Sequence, residues 1–101
     1  MGYIQSPLVT FAFESITVTD SATRLTIANV RGSGAPAEKA FITVEGASIR
    51  YRDDGSDPTS SLGHLVFIGD TISLDSRDKI EKFRAIRTGS TSATLRVDYE
   101  R

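Results

Sequence analysis

Apolar and polar residues alternate along most of this chain. Val9, Phe11 and Phe13 alternate with Thr10 and Ala12, and Ile16 and Val18 with Thr17 and Thr19. Leu25 and Ile27 flank Thr26. Ile42 and Val44 lie among Phe41, Thr43 and Glu45, while Ala47, Ile49 and Tyr51 alternate with Ser48, Arg50 and Arg52. Ile72 and Leu74 flank Ser73, and Leu95, Val97 and Tyr99 alternate with Thr94, Arg96 and Asp98. A period of two puts each apolar set on one face of a strand. One apolar and one wet face is the pattern of antiparallel strands that cover a core on one side. Leu65-Val66-Phe67-Ile68 breaks the rule with four apolar residues in a row. Such a run predicts a strand covered on both faces, hence a central strand or one lying under a neighbouring subunit.

Turn signals separate these runs. Gly46-Ala47 and Gly69-Asp70 read as tight hairpin links, and Thr88–Ser92 as the last hairpin. Arg31–Ala37 is a longer flexible loop, and Asp53–Ser61 is the longest polar stretch. Ser76–Arg87 admits two readings. One is a helix with Ile80, Phe83 and Arg87 at helical spacing, capped by Ser76 or Asp78. The other, preferred because the strand near 93–99 needs a partner, is a single turn at Asp78–Glu81 followed by a strand at Lys82–Arg87. Together the signals predict an all-β protein. It is a single domain over residues 1–101, an antiparallel β-sandwich or small barrel of about eight short strands, with at most one short helical turn near 78–81. Composition agrees, since Ile, Val and Thr supply 26 of the 101 residues.

A chain of 10.9 kDa is expected to leave about 5,600 Å² of surface exposed and to bury roughly 65% of its unfolded surface. That core is sufficient but shallow. With no Cys, there is no disulfide framework, thiol nucleophile or cysteine zinc site, and production in a reducing cytoplasm is expected. A single His argues against a histidine-built metal site. Twelve basic against thirteen acidic residues give a net charge of −1, so neither nucleic acid nor an acidic membrane is an expected partner. No apolar run is long enough to span a bilayer. Met1-Gly2 followed by Ser6 meets the bare myristoylation pattern, but no basic residues follow to supply a second anchor. Nine of the twelve cations are Arg, which suits either an interface or a GC-rich genome.

Three segments carry candidate chemistry. Asp53, Asp54 and Asp57 around Gly55 are weak candidates for a calcium loop, although the alternating acidic spacing and the bidentate Glu of an EF-hand are missing. Turn formation accounts for the same residues. His64, near Ser60 and Ser61, lacks a nucleophile elbow, so a structural His that bonds loop backbone at a strand entry is expected rather than a hydrolase. Arg77, Lys79, Lys82, Arg84 and Arg87 form a basic stretch around Phe83. Coupled to the acidic loop, it suggests a head-to-tail contact in which one subunit's basic edge meets the next subunit's acidic loop. Alternatively, Arg50 and Arg52 bond the carboxylates of their own loop and fix its shape. The interface candidates are therefore Arg50, Arg52, Asp53, Asp54, Asp57, Arg77, Arg84 and Arg87.

The run Ile49–Thr59 (IRYRDDGSDPT), then Gly63-His64, Gly69-Asp70, and the closing segments Phe83–Arg87 and Ala93–Arg101, resemble a group of small proteins encoded in structural gene clusters of tailed phages and prophages. Leu8–Val18 is similar too; the likeness is loose before residue 40 and close after it. It implies a β-sandwich virion component without a catalytic site or cofactor, packed among copies of itself and other virion proteins after assembly in the host cytoplasm. The expected role is a multi-copy capsid decoration or stabilising subunit, or a neck or tail accessory. The alternative is a tail-associated module for a host glycan or receptor, for which Tyr3 and Tyr51 are the candidate aromatics, the eight aromatics being expected mostly in core-facing positions.

Overall fold

The structure is a computed structural model that describes residues 7–32 and 34–101. The myristoylation pattern at Met1–Ser6 and the candidate Tyr3 lie outside the described residues.

Within them the chain forms eight strands and two short helices: β1 (Thr10–Val18), β2 (Thr23–Arg24), α1 (Ile27–Arg31), β3 (Lys39–Glu45), β4 (Ile49–Arg52), β5 (His64–Val66), β6 (Thr71–Leu74), α2 (Arg77–Lys82), β7 (Arg84–Arg87) and β8 (Ala93–Glu100). Two four-stranded antiparallel sheets result, ordered β1-β8-β3-β6 and β2-β7-β4-β5. The fold is the expected all-β sandwich. Its strand order is that of a jelly roll, two Greek keys wrapped into a double sheet. The exposed surface is 5773 Å², close to the size-based expectation.

The strand order corrects the hairpin assignments. Gly46-Ala47 joins β3 to β4, Gly69-Asp70 lies between β5 and β6, and Thr88–Ser92 joins β7 to β8. In each case the two strands belong to different sheets. These links are arches that carry the chain across the core, and only β4 and β5 pair as sequence neighbours within one sheet. Short Gly-containing links serve both geometries, so the turn residues alone do not separate them.

The inner faces carry the core. Ile42, Val44, Ile72, Leu74, Leu95, Val97 and Tyr99 from the first sheet meet Ile49, Val66 and Ala85 from the second, with Phe83 and Ile80 closing one end. Three details depart from the alternation pattern. The alternating runs at 9–13 and 16–19 merge into the single strand β1, Thr10–Val18, whose register shifts between Thr10 and Ala12. Past that irregularity Ala12, Glu14, Ile16 and Val18 face inward, and Phe13 turns out to 60% exposure. Leu25–Ile27 is not a strand. The chain leaves β2 after Arg24 and turns into α1, a second helix where at most one was expected. A five-residue helix is too short to display a period of 3.6. Here Val30 is its buried anchor, and Gly32, at φ +64, ends it. Finally, Leu65–Ile68 is not central. β5 is the edge of its sheet, with Leu65, Phe67 and Ile68 at 43, 59 and 59% exposure.

The Ser76–Arg87 segment resolves as helix and then strand, close to the preferred reading. Ser76 Oγ accepts the Lys79 amide at 3.2 Å and caps α2. Phe83, with extended backbone, stops the helix and starts the run into β7.

Candidate interaction surface

Register places four arginines on the outer face of the second sheet. Arg24, Arg84 and Arg52 are laterally paired across β2, β7 and β4, and Arg50 lies two residues before Arg52 on the same face. The inner face holds Ile49, Tyr51 and Ala85 instead. Four like charges on adjacent strands repel unless each is partnered. Here each is.

Arg52 forms a two-armed pair with Asp54, Nε lying 3.2 Å from Oδ1. Arg84 Nε lies 3.2 Å from Asp57 Oδ1, and its Nη1 donates to the Gly55 carbonyl at 2.6 Å. Arg50 donates to the Ser60 and Gly63 carbonyls at 3.1 and 3.0 Å. Arg24 donates to the Glu81 carbonyl at the end of α2 at 3.2 Å. The row therefore straps down the loop between β4 and β5 together with the end of α2. Pro58, buried within that loop, adds an apolar fastening.

Loop geometry follows from local chemistry. Asp54 Oδ1 accepts the Ser56 amide at 3.1 Å, which forms a tight Asx turn. The hydrogen bond from Arg52, reinforced by the Ser56 amide, holds the Asp54 carboxyl below the usual carboxylate range. Gly63 closes the loop at φ +132, where a Cβ would stand 3.0 Å from the Tyr51 carbonyl and 3.2 Å from Pro58 Cβ. Only glycine fits there without displacement.

The sequence-derived candidates separate accordingly. Arg50, Arg52, Asp54, Asp57 and Arg84 come together, and they bond within the chain. Arg50 does so through loop carbonyls rather than carboxylates. The basic stretch and the acidic loop do meet, through Arg84 and Asp57 of one chain. Asp53 lies beside them on the wall of a pocket of about 300 Å³ shared with Arg52, Asp54, Leu62, Gly63 and His64. Arg77 stands apart on α2, lining an open groove with Glu38, Lys39, Asp75 and Asp78. Arg87 ends β7, where Nη1 donates to Ser92 Oγ at 3.2 Å and the buried Nε has no partner among the described residues.

Among the described residues no three His, Cys, Asp or Glu side chains are grouped to hold a metal ion. His64 is exposed and packs on Tyr51, with ring centroids 5.2 Å apart; Tyr51 stacks in turn on Phe83 at 5.4 Å. No hydroxyl side chain is among the residues lining the His64 pocket. The backbone-binding role expected of His64 belongs to Arg50.

Alternation concealed a second polar cluster. Glu14, facing inward from β1, accepts from Thr26 Oγ1 at 2.6 Å, from Asn29 Nδ2 at 2.9 Å and from the buried Tyr99 hydroxyl. Partial burial pushes the Glu14 carboxyl up, but Asn29, Thr26 and Tyr99 together outweigh it and hold it below its ordinary range. Burial, then the hydrogen bond to Glu14, push Tyr99 far up. The cluster ties α1 to the first sheet. Its only trace in the sequence is the phase switch between Phe13 and Ile16.

The remaining surface is more apolar than expected. The aromatics are expected mostly in core-facing positions, yet Phe13, Phe41 and Phe67 are exposed together with Val9, Leu62, Leu65 and Ile68. Phe13 and Phe41 flank Asp98 on the outer face of the first sheet. Among the described residues no helix is long and apolar enough to cross a membrane.

No family model matches the chain, and neither a curated protein nor a solved structure gives a significant match. The fold assignment therefore rests on strand order and register.

Proposed function

We propose that this chain is a non-enzymatic structural subunit of a tailed-phage or prophage particle, present in many copies and acting through protein contacts. A capsid decoration or stabilising position is the specific form of the reading, with a neck or tail accessory position beside it. The observation that carries it is how the polar chemistry is spent. The arginine row and the loop carboxylates hold the protein's own loop in place, while large apolar side chains are left on the surface. A molecule built in this way offers shaped surface rather than reactivity. The jelly-roll order supports the reading by analogy alone, since that architecture serves capsid domains and also lectins. The resemblance of residues 49–59, 63–64, 69–70, 83–87 and 93–101 to phage structural proteins points the same way. A glycan-binding role has less support, because Tyr51 is half-buried between Phe83 and His64 rather than presented as an open platform.

Quantitative mass spectrometry of gradient-purified particles from the phage or induced prophage that encodes the chain tests the proposal. The chain is expected in many copies per particle. Its absence from particles, with abundant free protein in the lysate, would overturn it.

A further inference from the structure

The sandwich protects one side and leaves the other open. On the protected side, edge strand β1 carries an inward-pointing Glu14 and edge strand β2 carries Arg24, both of which discourage pairing with another chain. On the opposite side the edges are β5 (His64–Val66) and β6 (Thr71–Leu74), joined by a four-residue link. Neither strand contains Lys, Arg, Asp or Glu. Leu62, Leu65, Phe67 and Ile68, exposed by 56, 43, 59 and 59%, crowd into seven residues along β5 and its flanks. No ionisable residue other than His64 occurs between Pro58 and Gly69.

From these observations we infer that the β5 edge is a self-association seam, in which β5 pairs antiparallel with β5 of a second copy about a two-fold axis at Leu65. Three features select a second copy as the occupant. An antiparallel edge is its own complement: with the axis at Leu65, His64 faces Val66 of the second copy, and Leu65 faces its own counterpart. Because the segment carries no fixed charge, self-pairing brings no like charges together, and it offers nothing to a partner chosen by charge. The area also fits. Four half-exposed apolar side chains give on the order of 350 Å² per copy. Two copies therefore bury roughly 700 Å² before backbone is counted, an interface of the weak, transient class, short of the roughly 1,000 Å² that a stable one clears. The pairing joins two four-stranded sheets into one of eight strands and covers the apolar run Leu65–Ile68. The inference depends on the fold and surface alone, and stands or falls separately from the virion reading.

Light scattering across a concentration series tests it, with the mass expected to rise from 10.9 kDa toward twice that value. The chain has no Cys, so Leu65→Cys supplies a single thiol. Under mild oxidation it is expected to form a disulfide-linked dimer, whereas Ser73→Cys on the first sheet is not. The double variant Leu65→Lys/Phe67→Lys is expected to stay monomeric with an unchanged melting temperature, because both side chains are already exposed. A wild type that stays monomeric up to about 1 mM, roughly tenfold above a Kd of about 0.1 mM, overturns the inference. A dimer that survives the double lysine variant, or one whose Leu65→Cys form fails to cross-link, overturns it equally by placing the contact elsewhere.

Discussion

Arg84 reaches the loop between β4 and β5 with two arms at once, Nε to Asp57 Oδ1 at 3.2 Å and Nη1 to the Gly55 carbonyl at 2.6 Å. It is the link between the two charged segments of the sequence, and it joins them inside one molecule. Arg84→Ala is expected to cost about 1–2 kcal/mol, a fall in melting temperature of roughly 5–10 °C for a domain of this size. Asp57→Asn keeps the carbonyl contact and removes only a solvent-facing carboxylate, so its cost should stay near or below about 0.5 kcal/mol. Calorimetry on both variants, with limited proteolysis at residues 53–61, separates the effects. Equal losses would mean that the ion pair, not the carbonyl, holds the loop.

Gly63→Ala introduces a Cβ against the Tyr51 carbonyl at a backbone angle that L-residues rarely adopt. The expected penalty is about 1–3 kcal/mol, larger than for alanine at the exposed Gly89, where nothing lies within 4 Å. Urea denaturation of the two variants side by side provides the comparison. Indistinguishable midpoints would refute the tight closure of the loop.

Two carboxylates set the acid limb of stability, and both have the same sign. Glu14 and Asp54 are held below their usual ranges in the folded chain. Each therefore adds stability that is complete above the unfolded-state value, near pH 4, and is lost as pH falls through the lower folded value. Glu14→Gln and Asp54→Asn should flatten the fall of melting temperature below about pH 5. Tyr99→Phe, which removes one of the donors to Glu14, should cost about 1 kcal/mol at neutral pH and shift the remaining Glu14 transition upward. A Tyr99→Phe profile parallel to wild type at all pH values would contradict the role assigned to that hydroxyl.

Calcium should leave the protein unchanged. Asp54 and Asp57 are engaged with Arg52 and Arg84, and each cation opposes the entry of another. Melting temperatures with about 5 mM calcium, above the range of weak extracellular modules, and with a chelator should agree within error. A calcium-dependent rise abolished by Asp53→Asn would restore the cation site.

Fold class was legible because Ile42, Val44, Leu95, Val97 and Tyr99 obey a strict period of two, a direct consequence of the pleat. The connections were not. A Gly-containing link looks alike whether the next strand pairs beside the last or crosses the core, and the answer depends on all eight strands together. Glu14 escaped notice for a related reason: its neighbours Phe13 and Ser15 suggest the opposite face until the irregularity after Thr10 is known. At the loop, the shared occurrence of Arg50, Arg52, Asp54 and Asp57 was visible, but the decisive partner Arg84 is 27 residues beyond Asp57. Sequence proximity suggested the shape-fixing role, whereas charge segregation suggested the contact between subunits. Only register decides which cations share a face with the loop.

The arched connections also impose an order in time. Among the described strands β1 pairs with β8 alone, and β3 must wait for β6 and β8, so on a ribosome β1 stays unpaired until nearly the whole domain has been synthesised. Folding dominated by such distant pairings is slow, on the scale of milliseconds to seconds. During that interval the β1 segment, with Phe11, Phe13 and Ile16, is an unsatisfied strand. Crowding during synthesis, rather than weakness of the finished fold, then sets the danger of aggregation.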